Sequence, residues 1–335
     1  MGMGIRFGLC CIFRDEPIKF RTTTASYVLK MDRSDGLHKI SDLCKTNASS
    51  LQEALQYCHK NDINNFRVSS NILPLKTHPV LGYNVEDLPD GENIINLFKV
   101  AGEYAKSKNI RTSFHPSQFV VLNSQKPQVV VQSLQEIEYQ AEVAEWINAD
   151  VVNVHGGGAY GDKIKALSDF SHAVDRLSER ARSKLTIEND DKTYTPSDVL
   201  PLCKDLGIPL VYDVHHHRCN KDGISIEQAT QAALATWNRE PMFHISSPIE
   251  GWSGKKQNSH HDFINIEDFP ECWLDLNITV EVEAKAKEVA ILQLMTQYAT
   301  IKRTVGTTGL AACPDVRPAF SGLERKLTFN GVGSS

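Results

Sequence analysis

The chain has 335 residues, 41% of them apolar, and a formal net charge of −5. That length supports one large α/β domain with a full core, or two smaller ones. The mild acidity excludes a polycation that coats nucleic acid by net charge, but not a local basic groove or the added charge of bound divalent ions. The start, Met1-Gly-Met-Gly-Ile-Arg-Phe-Gly8, has no basic region followed by an apolar core, and no apolar run reaches membrane-spanning length. Neither a signal peptide nor a transmembrane helix is expected. The eight cysteines include no C-x-x-C, only the adjacent Cys10-Cys11, which suits a reduced, cytoplasmic compartment.

Strand-like runs alternate with helical ones along the chain. Ile5–Ile12 reads as a strand, followed by a long polar connection with Thr22-Thr-Thr24 and several basic residues. Asn47-Ala-Ser-Ser50 supplies cap-like residues before a helix to about Asn61. Asn65–Ser69 is the second strand, with Pro74, His78 and Pro79 in the loop after it. A helix is expected over 93–108, with Ile94, Leu97, Phe98 and Ala101 on one face. The third strand, Ile110–Phe114, ends at His115, and a long helix follows over 127–148. Strand four, Asp150–Val154, ends at His155-Gly-Gly-Gly158 and precedes a helix over 163–182. Strand five, Lys184–Ile187, ends at Glu188, and Thr195-Pro-Ser-Asp198 starts a short helix. Strand six, Ile208–Tyr212, ends in Asp213 and the triplet His215-His216-His217. A helix over 225–237 leads to strand seven, Pro241–Ser246, and to a polar loop over 251–262. Strand eight, Leu276–Val282, ends at Glu283, and the last helix runs from Ala284 to about Lys302.

Eight strands alternating with helices predict a single-domain (β/α)8 TIM barrel over 1–303, with a Gly-, Pro- and Ser-rich tail over 304–335 read as loosely held. A doubly wound sheet is the alternative, but no G-x-G-x-x-G follows the first strand. Gly156–Gly158 could cradle a phosphate, though a tight turn serves as well.

A barrel gathers the carboxyl ends of its strands on one face. Those ends carry His115, His155, Glu188, Asp213 with His216, His244 and Glu283, and the loops add His78 and His260. Any one of them alone is more simply a solvated or capping residue. Together, imidazole nitrogens mixed with carboxylates suit Zn²⁺ or Mn²⁺ rather than a thiolate site. There are too many for one tetrahedral ion, so two or three ions are expected, with Glu188 as the bridging carboxylate. Such a cluster suits metal-assisted phosphodiester hydrolysis, with Glu188, Asp213, His244 and Glu283 as its catalytic core. Lys255 and Lys256, near Trp252, are candidates for pinning a nucleic-acid backbone; a solvated loop is the plainer reading.

In order, His115-Pro-Ser-Gln118, Val154-His-Gly-Gly157, Ile187-Glu-Asn-Asp190, Tyr212-Asp-x-His-His216, Phe243-His-Ile-Ser246 and Glu283-Ala-Lys-x-Lys-Glu288 resemble the UV damage endonuclease family (UvsE/UVDE). Arg67-Val-Ser-Ser70 with Pro74 and His78 fits too, and the likeness covers roughly residues 5–300. The resemblance implies an endonuclease IV-like barrel and a repair enzyme nicking damaged double-stranded DNA. The cut would lie immediately 5′ of cyclobutane pyrimidine dimers, 6-4 photoproducts and, in many members, abasic sites. It also implies up to three ions, usually Mn²⁺, held by His78, His115, His155, Glu188, Asp213, His216, His244, His260 and Glu283. His261 competes with His260, and His215 and His217 should flank the site. A duplex-probing Gln-Tyr pair matches Gln118-Phe119, where Phe keeps the stacking face and loses a hydroxyl. Two departures stand out: Met242, where members often carry a modified Lys, and the first loop, with Cys10-Cys11 and Arg14-Asp-Glu16. A monomer with no nucleotide cofactor and no membrane partner is expected. The rival readings are an abasic-site endonuclease, a metal-dependent sugar isomerase and a non-cutting barrel that binds damaged DNA.

Overall fold

The computed structural model describes residues 4–307. In chain order the elements are β1 (Arg6–Cys10), α1 (Ala25–Val28), α2 (Arg33–Lys60), β2 (Asn65–Val68), α3 (Gly91–Ser107) and β3 (Arg111–Phe114). Then follow α4 (Pro127–Trp146), β4 (Val151–His155), α5 (Lys163–Val174), α6 (Glu179–Arg182), β5 (Leu185–Glu188), α7 (Pro196–Leu206) and β6 (Leu210–Asp213). The chain continues with α8 (Val214–Cys219), α9 (Ile226–Leu234), β7 (Met242–Ile245), β8 (Thr279–Val282) and α10 (Glu288–Thr307). The strands pair in parallel in sequence order, and β8 closes on β1. This is the expected (β/α)8 barrel.

The strands divide their residues by face, as a period of two requires. Outward, Phe66, Phe114, Val152, Ile187, Tyr212, Phe243 and Val280 are buried in the core beneath the helices. Inward, Asn65, Arg67, Ser113, Glu188, His244 and Glu281 are buried in a polar interior, where most barrels hold branched aliphatics. Gly8 belongs to that design: a Cβ there would stand 2.5 Å from the Asn65 amide nitrogen.

Three helix expectations change. α2 begins at Arg33, well before Asn47. Its buried stripe includes Gly36, Ser41, Asn47 and Ser50, which hide the apolar period. Asn47 is not a cap. Its Oδ1 accepts Arg21 N at 2.6 Å, and its Nδ2 donates to the Arg21 and Ile72 carbonyls, sewing the first loop to the barrel. The helix expected over 163–182 divides into α5 and α6, the second capped by Ser178 accepting from Ala181 N. The His triplet after strand six lies on a short helix, α8, that the sequence reading did not include. α10 runs past the expected boundary at 303, and the rest of the expected tail, from residue 308, lies outside the described residues. No described helix is long and apolar enough to cross a membrane.

Candidate metal centre at the barrel mouth

The parallel strands deliver the expected side chains to one end of the barrel. Glu188 is at the centre, fully buried at the end of β5. Its Oε2 accepts Asn153 Nδ2 at 2.6 Å and lies 3.0 Å from His115 Nε2 and 3.3 Å from His244 Nδ1. Its Oε1 lies 3.1 Å from His216 Nδ1. That approach is poorly aligned, so Glu188 Oε1 is left without a hydrogen-bond partner among the described residues, as are Asp213 Oδ2 and His155 Nδ1. Buried polar atoms are normally satisfied, so these orphans mark where a ligand belongs.

Local structure aims the histidines. Asp213 caps α8 by accepting His216 N at 2.7 Å, which explains the three-residue spacing. Asn189 clamps the Asp213 backbone on both sides, at 3.0 and 2.9 Å. His216 Nδ1 is 3.0 Å from the Asn189 carbonyl, and His115 Nδ1 is 3.0 Å from the Pro116 carbonyl. An Nδ1–H spent on a carbonyl leaves Nε2 as the ligand nitrogen.

Three sets of ligand atoms lie within 4.8 Å of one another: His115 with His155 and Glu188; His115 with His244 and Glu283; Glu188 with Asp213 and His216. Glu188 belongs to two sets, as a carboxylate bridging neighbouring ions would, while His115, with one free nitrogen, would serve one ion or the other. His260 Nδ1 joins the edge, 3.7 Å from Glu283 Oε2, while the exposed His261 accepts Phe263 N at 3.0 Å. His78 stands on the rim, where its Nδ1 accepts the Val80 and Leu81 N–H groups. That keeps the ring proton on Nε2, so to ligate an ion His78 would have to lose it or turn its ring. His217 is fully spent, with Tyr212 Oη 2.7 Å from Nδ1 and Asp222 Oδ1 2.9 Å from Nε2. His215 packs between Trp252 and His260, with ring centres 5.3 and 5.2 Å away.

Buried carboxylates and imidazoles set one another's ionisation at this mouth. Burial raises the Glu188 carboxyl, but His244 and His155 outweigh it and hold the group well below the usual range. Glu283 is likewise held down, burial being outweighed by Arg67 and His244. His244 is lowered by burial but pushed up to about 10, first by Glu188. Burial lowers His155, whose neighbouring carboxylates do not compensate. A proton held on His244 thus stands among these carboxylates, where a divalent cation would take its place.

Strand-end reading missed Glu281 and the role of Arg67. Both are buried inside the barrel, where Arg67 Nε lies 2.7 Å from Glu281 Oε2 and Nη2 lies 2.5 Å from Glu283 Oε1. The signal was available, because Glu281 is two residues before Glu283 and must share its face. Glu288 was also missed: its buried carboxylate accepts the N–H groups of Arg14, Asp15 and Glu16, holding the first loop at the mouth. Gly156–Gly158 wraps Asn123, whose Nδ2 donates to the Gly156 and Gly158 carbonyls at 2.8 and 2.9 Å. Gly157 has φ +80°, and a Cβ there would lie 2.2 Å from Asn123 Oδ1, so the run is a close-packed turn.

The model of a family described as UV-endonuclease UvdE matches residues 5–311. The chain belongs to that family. A UV DNA damage endonuclease of Bacillus cereus (strain Q1) is 32% identical over 294 residues, 84% of this chain and 90% of its own. One of Bacillus mycoides (strain KBAB4) is 31% identical over 320 residues, 90% of this chain and 96% of its own. Among solved structures, SacUVDE aligns with a TM-score of 0.79 at 28% identity, over 89% of this chain and 99% of that one. Endonuclease IV from Thermus thermophilus aligns at 0.57 with 13% identity, covering 91% of this chain and 100% of that one. D-psicose 3-epimerase from Clostridium cellulolyticum H10 aligns at 0.54 with 12% identity, covering 90% and 99%. These last two show the fold alone. In this UvdE family member, Phe119 and Gln118 stand exposed on the rim, Phe119 at 78%. Lys255 and Lys256 are exposed, with Lys256 Nζ 3.9 Å from Glu250. Trp252 is engaged, donating to Asp268 Oδ1 at 2.6 Å. Met242 is fully buried on the strand face of His244.

Proposed function

We propose that the chain is a DNA repair endonuclease that hydrolyses the phosphodiester immediately 5′ of UV photoproducts, with two or three divalent ions as cofactor. The observation that carries this is the shared ligand arrangement around Glu188, with its orphaned oxygen and those of its neighbours. The donor set of imidazoles and carboxylates fits Mn²⁺ or Zn²⁺. His115, His155, Glu188, Asp213, His216, His244 and Glu283 would hold the ions, joined by His260 and, after a change at its ring, by His78. Bound ions supply Lewis-acid stabilisation of the phosphate and lower the pKa of water.

The protein's own part is orientation. Glu188, Asp213 and Glu283 present oxygens from the ends of β5, β6 and β8, and the Asn189 and Pro116 carbonyls aim two imidazoles. Phe119 is free to wedge into a duplex, and beside it Ser70, His78, Ser117 and Gln132 line a groove of about 430 Å³ suited to displaced bases. Lys255 and Lys256 would add backbone affinity that falls with salt. One copy carries the whole cluster, so a monomer suffices.

A nicking assay tests the reading. Duplexes carrying one cyclobutane dimer, one abasic-site analogue or no damage are each incubated with Mn²⁺ or EDTA. A Mn²⁺-dependent cut 5′ of the dimer is expected, and Glu188→Gln should slow it by about a hundredfold or more. Cutting at the abasic site alone would replace the photoproduct assignment, and no cutting of any duplex would overturn the endonuclease reading.

A further inference from the structure

Glu281 is inside the barrel, and nothing in the proposed function uses it. A buried charge persists at low cost only when it is paired and hydrogen-bonded. The pairing here is complete. Glu281 Oε1 accepts Asn65 Nδ2 at 3.0 Å and the Ser113 hydroxyl. Its Oε2 accepts Arg67 Nε at 2.7 Å and lies 3.0 Å from His244 Nε2. The His244 approach is an ion-pair contact rather than a well-aligned hydrogen bond. Unlike Glu188 and Asp213, Glu281 leaves no orphaned oxygen for an ion.

Its partners are the groups that face the cluster. Arg67 reaches from Glu281 to Glu283, and its two carboxylate contacts leave neither acid free to swing. His244 turns Nε2 toward Glu281 and Nδ1 toward Glu188 Oε2 and Glu283 Oε1, at 3.3 and 3.5 Å. The register pairs His244 with Glu281 directly across β7 and β8, so the contact is built into the sheet.

We infer that Glu281 is a positioning residue for the metal centre. Through Arg67 it fixes Glu283, and by holding the Nε2 side of His244 it presents Nδ1 to the ions. The assignment rests on the metal-dependent reading proposed above. Carboxylates that orient a ligating imidazole are typically worth about 10–100-fold in metal affinity.

The test is a Mn²⁺ titration of the metal-stripped full chain, with free Mn²⁺ followed by electron paramagnetic resonance. Glu281→Gln keeps the shape and one acceptor but removes the charge. Circular dichroism should show the barrel intact, and Mn²⁺ affinity should fall by about 10–100-fold. In nicking, kcat should fall while KM for the damaged duplex holds. A folded Glu281→Gln protein with wild-type Mn²⁺ affinity overturns the inference and leaves Glu281 a packing group. Should that variant not fold, Arg67→Lys decides by the same criterion, since one ammonium keeps the charge but cannot span both carboxylates. Wild type that binds no Mn²⁺ overturns the metal-dependent reading as well.

Discussion

At the scale of single residues, burial separates the candidate ligands from the proposed duplex-probing residue. Glu188, Asp213 and His244 are wholly enclosed, whereas Phe119 is 78% exposed on the loop after β3. A large aromatic held in water contributes little to stability and is available to stack on a base. Base stacking on such a ring is worth about 1–3 kcal/mol. Phe119→Ala should therefore weaken binding of the dimer-containing duplex by about tenfold, with stability changed by no more than about 0.5 kcal/mol. Fluorescence anisotropy and thermal melting check the two halves, and unchanged binding would remove Phe119 from the wedge role. The strand-end residues were legible because each has a distinctive chemistry and a fixed place after an apolar run. The inward face of Glu281 was legible from its spacing to Glu283, but its pairing with Arg67 was not, because that depends on a contact between β2 and β8.

At the scale of elements, α8 is tied down from both sides. Asp213 caps its start, and the half-buried Asp222 closes its end: Oδ1 is 2.9 Å from His217 Nε2, and Oδ2 accepts Ser197 N at 2.8 Å, in the first turn of α7. Burial raises the Asp222 carboxyl, but the Ser197 and Ile224 N–H groups and His217 prevail and bring it down to about 2. A carboxyl lowered from its unfolded value of about 4 stabilises the fold above that pH and loses the contribution as pH falls toward 2. Asp222→Asn should therefore cost about 1 kcal/mol at pH 7, and the gap should narrow between pH 4 and pH 2. Urea midpoints of both proteins across that range check this; a gap independent of pH would remove the carboxylate's charge from the account. The elements also show where pattern reading fails. The first half of α2 buries the small Gly36 and Ser41 among Ile40, Leu43 and Cys44, which breaks up its apolar stripe. Asn47 has a capping residue's chemistry, yet its side chain serves the backbone of a distant loop.

At the scale of the whole molecule, the mouth gathers buried carboxylates and imidazoles, several of whose atoms have no hydrogen-bond partner among the described residues. Binding that favours the folded state raises stability, by about 2.7 kcal/mol at a hundredfold excess over Kd. EDTA should accordingly lower the melting temperature by several degrees, and Mn²⁺ should restore it. An identical melting temperature with and without metal would argue against ions filling this site. By itself the sequence determined the barrel and most of the candidate ligands. Apolar runs of strand length recur eight times with helical runs between them, and polar residues of metal-binding type follow the runs. That information is local, so it survives in a one-dimensional reading. Only the tertiary structure decided which of adjacent His260 and His261 faces Glu283, that His217 is spent on Tyr212 and Asp222, and that Glu281 and Arg67 underlie the cluster. The last of these depends on barrel closure, which sets β8 beside β1 and within reach of β2. Side chains hundreds of residues apart become hydrogen-bonding neighbours there, and no spacing along the chain encodes which of them will meet.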